Sequence, residues 1–179
     1  MTELVPHLRF SVEDEELFNS ARLLILFDVL DEKEIMDGIN IERIGYYDFF
    51  SAQPFLIFGE GEKDIKLDLL LHGFEATTIS YISSSQRFTN RREKLKHYLA
   101  GLIMRNLIIV NNANGQFLYS ITKEGKQIAS QFKAMYIMAY RKSADIIITK
   151  LSKMNDRILA SKARQWLKAE PFIIDLYDF

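Results

Sequence analysis

The sequence contains no cysteine, which removes disulfides, thiolate metal sites and cysteine nucleophiles together. Its three histidines, His7, His72 and His97, stand too far apart for metal-ligand spacing, so neither a zinc site nor any other metal is expected. Only three prolines (Pro6, Pro54, Pro171) and eight glycines interrupt 179 residues. That scarcity, with no internal repeat or low-complexity tract, excludes linker-like and disordered chains. No apolar run approaches the roughly 20 residues that a membrane span needs. The start, MTELVPHLRF, lacks a basic-then-apolar leader, so a cytoplasmic protein is expected. What is present suits a globule: 48% of residues are hydrophobic and 26% charged, enough for one domain with an appendage.

The formal net charge of −1 hides a partition. Residues 1–75 carry −11, residues 76–168 carry +13, and the last eleven carry −3. Such asymmetry suits either a charged partner or two halves that neutralise each other across the fold.

Residues 1–13 read as an extended lead-in. Leu17, Leu23, Leu24, Phe27 and Leu30 then recur at helical spacing behind an acidic first turn, predicting a helix over 14–31. Asp37-Gly38 reads as a turn and Ile39-Asn40-Ile41 as one short strand. A second helix carries Ile44, Tyr47, Phe49 and Phe50 and stops before Pro54. Residues 54–88 read as an inserted loop region, within which the apolar run 67–71 suits either helix or buried strand. Thr89 reads as the N-cap of a helix over 89–105 that buries Leu95, Tyr98, Leu99, Leu102 and Ile103.

The next segment is the most explicit. Leu107-Ile108-Ile109-Val110 has the β-branching of a strand, Asn111 to Gly115 reads as the turn at the tip of a wing and ends in Asn-Gly, a strong hairpin signal, and residues 116–121 alternate as the return strand. Thr122 then caps a helix with Ile128, Phe132, Met135 and Tyr136 as its inner stripe, running unbroken to about Lys153. A last helix runs from Asp156 through Trp166, followed by an apolar, acidic tail from Pro171 to Phe179. The predicted class is mostly α with a small β-hairpin (α+β). Helix, hairpin, helix is the order of a winged-helix domain, placed here over 1–134, with a C-terminal helical arm and tail over 135–179.

No catalytic constellation accompanies this fold. Gly59-Glu60-Gly61-Glu62-Lys63 lacks phosphate-loop spacing, and no nucleophile elbow or His-Glu-x-x-His element occurs, so a non-enzyme without cofactor is expected. DNA contact is the natural alternative, because residues 87–106 carry six bases and one acid. The helical wheel argues against base reading. The side opposite Leu95, Leu99 and Leu102 carries Glu93, His97, Ala100 and Met104, where a base-reading helix would place Arg, Lys, Asn or Gln. Arg87, Lys94, Lys96 and Arg105 remain candidates for sequence-blind phosphate contact.

Several motifs occur in order: Phe18-Asn19-Ser20, Tyr47-Asp48-Phe49, and Arg91-Arg92-Glu93 followed fourteen positions after Arg91 by Arg105-Asn106-Leu107-Ile108. Over residues 18–135 this resembles the middle component of bacterial three-component ABC systems, the C subunit of Lamassu defence. The chain departs from that pattern in Ser83-Ser84-Ser85-Gln86 before the double Arg, in Asn106 where Gly is usual, and in a longer 54–82 segment that keeps only Leu71-His72 of an L-H-P loop. The resemblance implies an accessory subunit binding an ATPase of the structural-maintenance-of-chromosomes or Rad50 type. It would couple that ATPase to an effector, often a nuclease, against phage or plasmids. On this reading Glu93, His97, Ala100 and Met104, with Phe172, Ile174, Leu176 and Tyr177, contact protein. Arg91 and Arg92 orient their helix or pair with acids of the N-terminal half. The alternative is a winged-helix transcription regulator that dimerises through its C-terminal helices.

Overall fold

A computed structural model describes residues 16–35, 38–74 and 83–168. The lead-in, Asp37 and the tail residues Phe172, Ile174, Leu176 and Tyr177 lie outside the described residues. Among the described residues the chain forms seven α-helices and one antiparallel hairpin, a mostly helical α+β fold.

Helix α1 (Glu16–Glu32) buries Leu23, Leu24, Ile25, Leu26, Phe27, Val29 and Leu30, so its middle turns are enclosed on every side and sit in the core. Helix α2 (Ile41–Ala52) starts at Asn40, whose side chain accepts from the Arg43 N–H at 2.9 Å. The expected strand at Ile39-Asn40-Ile41 is therefore reduced to one residue. Ile39 alone pairs with Tyr119, while Asn40 and Ile41 belong to the helix start.

Of residues 54–88, expected as an inserted loop region, the described part covers 54–74 and 83–88 and is largely helical. It holds 3-10 turns at Pro54–Leu56 and Glu60–Glu62, then helix α3 (Lys63–Leu71), which buries Leu69 and exposes Leu67 and Leu71. Helix α4 (Ser84–Met104) begins five residues before the expected cap at Thr89. Thr89 lies inside it, its hydroxyl donating to the Ser85 carbonyl at 3.0 Å. The reason is tertiary: Phe88 stacks on Tyr46 and meets Phe49 edge-on, and this anchored ring keeps the serine-rich first turn helical. At the other end, Leu107 N–H bonds the Leu102 carbonyl and Asn106 adopts φ 56°. This left-handed stop is a conformation that favours glycine and that Asn tolerates better than other residues.

Strands β1 (Ile108–Ala113) and β2 (Gln116–Ile121) pair with Ala113 opposite Gln116, so the turn is Asn114-Gly115 alone. Both turn residues have positive φ (52° and 81°), the type I′ geometry that Asn-Gly favours. Thr122 caps helix α5 (Lys123–Ala129), accepting from Gly125 N–H at 2.9 Å. That helix does not continue to Lys153. It ends at Ala129, and helix α6 (Met135–Leu151) starts anew. Met135 and Tyr136, expected on an inner stripe, are exposed, and the buried face is carried by Ile137, Tyr140, Ala144, Ile147, Ile148 and Leu151. Packed on α1 and α2, α6 places the first part of the expected arm in the common core. Helix α7 (Asp156–Lys168) lies against α4 and runs parallel to α2, with Asp156 at Arg43 and the Trp166 ring edge-on to Phe50.

The charge partition is answered in part inside the molecule. Acids of the N-terminal half meet bases of the second half in Arg92–Glu42, Lys126–Asp31, Arg141–Asp28, Lys142–Asp68 and Lys150–Glu62.

Gly125 is the most tightly enclosed glycine among the described residues. A Cβ there would lie 2.1 Å from the Leu107 carbonyl oxygen and 2.7 Å from Ile121 Cγ1. Gly125→Ala is expected to destabilise by about 1–3 kcal/mol, the range for overpacking. Urea denaturation checks this, with Gly61→Ala, at an open position, leaving the midpoint unchanged.

Candidate functional site

The sequence motifs converge at one buried point. Arg22, halfway along α1, donates from Nε to Asp48 Oδ1 at 2.8 Å and from Nη2 to Oδ2 at 3.1 Å. The Tyr140 hydroxyl of α6 donates to the same Oδ1 at 3.0 Å. Arg91 of α4 approaches Oδ2 at 3.6 Å, with its guanidinium 5.7 Å from the Phe49 ring centre. The Tyr47-Asp48-Phe49 and Arg91-Arg92-Glu93 motifs thus meet across α2 and α4, and Arg92 reaches Glu42 on the surface. Both arginines pair with acids of the N-terminal half.

Burial alone would push the Asp48 carboxyl up. The Arg22 and Arg91 guanidiniums, with hydrogen bonds from Arg22 and Tyr140, outweigh it and hold the group below the usual carboxylate range. Burial, then the Asp48 charge, raises the Tyr140 phenol well above its ordinary value, so it remains a donor. Arg22 and Tyr140 escaped the sequence reading. One signal was available for Arg22: it is the one basic residue of α1, directly ahead of the apolar run Leu23–Phe27.

The outward side of α4 carries the expected contact residues. Glu93, His97, Ala100 and Met104 are all exposed, Met104 at 86%. They do not share one environment. His97 Nε2 lies 3.3 Å from Glu16 of α1, Glu93 borders a shallow hollow with Arg92, and Ala100 opens onto a large groove. That groove, about 690 Å³, runs between α2, α4, β2 and α7. Its walls are Ile41, Tyr46, Leu99, Ala100, Ile103, Phe117, Tyr119, Leu159 and Ala160, and Glu42, Arg43, Lys96 and Asp156 also line it. Phe117 on the hairpin is 61% exposed beside it.

The four candidate phosphate contacts separate. Lys96 lines the groove. Arg105 donates from Nη1 to the Gly101 carbonyl at 2.9 Å and finishes its own helix. Arg87 and Lys94 instead join Arg91 at a smaller cavity on another side of α4. Among the described residues, no three His, Asp or Glu side chains gather as a metal cluster, and no helix is long and apolar enough to cross a membrane.

Residues 16–169 match the family model described as ABC-three component (ABC-3C) system Middle Component 2. The match takes in the whole Arg22–Asp48–Arg91–Tyr140 cluster, and the chain belongs to that family. As a middle component it partners with other components of such a system. No curated protein and no solved structure matches the chain.

Asp48→Asn leaves Arg22 buried without its counter-charge and is expected to cost about 3–5 kcal/mol, against about 1 kcal/mol for Tyr140→Phe. Because the folded-state value of Asp48 is depressed, its contribution is complete above the ordinary carboxylate value of about 4 and is lost as pH falls through the lower folded value. Urea titrations between neutral and acid pH should show a shallower acid-side loss of stability in Asp48→Asn than in the parent.

Proposed function

We propose that this chain is a non-catalytic docking subunit, a winged-helix body joining an ATPase of the structural-maintenance-of-chromosomes or Rad50 type to an effector in an anti-phage or anti-plasmid complex of the Lamassu kind, in the cytoplasm. The observation that carries the reading is the apolar groove beside the exposed side of α4. Leu99, Ile103, Phe117, Tyr119 and Leu159 line it, a surface suited to the apolar side of a partner helix. The coiled-coil ATPase would supply that helix, with Ala100 leaving room for close approach and Met104 adapting at the end.

The same groove disfavours the transcription-regulator alternative. A duplex laid between α4 and the hairpin would meet Glu42 and Asp156 together with α7, and the exposed stripe offers Glu93, Ala100 and Met104 where base readers need donors. The exposed hairpin residues Asn111, Asn112 and Asn114 carry no cation for phosphate.

Met104→Glu and Ala100→Glu test the proposal in co-purification with the ATPase encoded alongside. Both positions are exposed, so stability should stay within about 0.5 kcal/mol of the parent. ATPase association should weaken about tenfold or more. Normal co-purification of both variants would remove the groove from the interface. Binding whose strength depends on DNA sequence would restore the regulator reading.

A further inference from the structure

The hairpin that borders the groove leaves its far edge open. Strand β2 is flanked by β1 on one side and, at a single position, by Ile39 on the other. The Ile39 N–H donates to the Tyr119 carbonyl at 3.0 Å, and the Tyr119 N–H donates back to Ile39 at 2.9 Å. Tyr119 therefore turns its backbone groups away from β1. Facing residues of an antiparallel pair either exchange both bonds with each other or aim both outward, in alternation along the strands. Val110, opposite Tyr119, accordingly aims its N–H and carbonyl out from β1, and so does Asn112 two places on. Residues 109–113 are all exposed, and among the described residues no strand lies against this edge. Ile108, the next residue aimed that way, is only 1% exposed and closes the edge. What stays open is five residues long, with Asn111 at its middle.

Sheet edges are commonly guarded by Lys, Pro or a bulge. Here none of these stands. β1 runs against β2 in one unbroken register. The seventeen residues from Asn106 to Thr122 hold no charge and no proline, in a chain whose residues are 26% charged. Ile109 and Val110 are moreover exposed apolar side chains on the open strand.

That neutrality bears on the occupant. A foreign strand is selected through opposite charge, and this edge offers it none. A second copy presents the same surface, so any charge here would meet its like across a two-fold axis. The edge is also symmetric about its centre. An axis at Asn111 sets Val110 of each copy opposite Asn112 of the other, the two residues whose backbone groups aim outward, so about four hydrogen bonds form. On the face shared by Ile109, Asn111 and Ala113, Ile109 then meets Ala113, large against small. Asn111 meets Asn111, where a carboxamide both donates and accepts. We infer that β1 is a self-association edge, through which two copies of this chain join antiparallel into one four-stranded sheet with Asn111 on the two-fold axis. The inference is independent of the docking reading, because the groove is lined by Phe117 and Tyr119 of β2 and by no residue of β1.

The test is sedimentation equilibrium of the full chain beside Val110→Pro. The Val110 N–H takes no part in the hairpin ladder, so proline there keeps the ladder intact, and a native circular dichroism spectrum checks this. A concentration-dependent dimer is expected of the parent, weakened about tenfold or more in Val110→Pro, which takes one hydrogen bond from each copy. Because the chain has no cysteine, Asn111→Cys reads the register directly. Facing residues of such a non-bonded pair have Cα atoms about 4.5 Å apart, within disulfide reach. Mild oxidation should join Asn111→Cys into a covalent dimer and leave Gln116→Cys, exposed on the other strand, uncoupled. A parent that is monomeric at every concentration, a dimer indifferent to Val110→Pro, or equal coupling of the two cysteines would overturn the edge.

Discussion

The fold depends on the neutralisation of Arg22. A guanidinium enclosed beside the apolar stretch of a buried helix is tolerable only if a carboxylate meets it squarely, and Asp48 does so through two hydrogen bonds. That requirement sets the angle of α2 against α1. The same two carboxylate oxygens also serve Tyr140 of α6 and Arg91 of α4, so four helices are aligned by one side chain. A hydrophobic core fixes which faces touch but tolerates sliding; a buried ion pair with directional hydrogen bonds fixes register as well.

Around this centre the surface divides by chemistry. One side of α4 is apolar and opens between the hairpin and α7; another carries three cations above buried amides. Six of the seventeen bases of residues 76–168 pair with acids of the first half. The +13 of that segment therefore overstates the charge it offers to a nucleic acid.

How much of this was legible depended on range. The Asn-Gly hairpin signal, the Thr122 cap and the stop of α2 before Pro54 are decided by neighbouring residues and stood in the sequence plainly. So did the outward direction of Glu93, His97, Ala100 and Met104, since a helical wheel needs only one buried stripe. Asn111 to Ala113, read as turn, instead extend β1, and Asn40 and Ile41, read as strand, start α2. The start of α4 was hidden because its serines carry no helical preference and are recruited by Phe88 meeting Tyr46 and Phe49. The break between α5 and α6 was hidden for the opposite reason: Ser130-Gln131-Phe132-Lys133-Ala134 contains neither proline nor glycine to announce it. Arg22 and Asp48 stand 26 positions apart, and no periodicity links them. The groove draws its walls from four elements, so no single stretch of chain could disclose it.

Helix α4 is one unbroken rod of 21 residues, about 31 Å at 1.5 Å per residue. It carries the cation stripe on its first half, the Asp48 clasp at Arg91, and the groove wall at Leu99, Ala100 and Ile103 on its second half. Such a rod does not bend to suit each visitor separately. Packed against α1, α2, β1 and α7, it holds the groove wall at a fixed distance from the Asp48 clasp, so both faces keep one register within a single element.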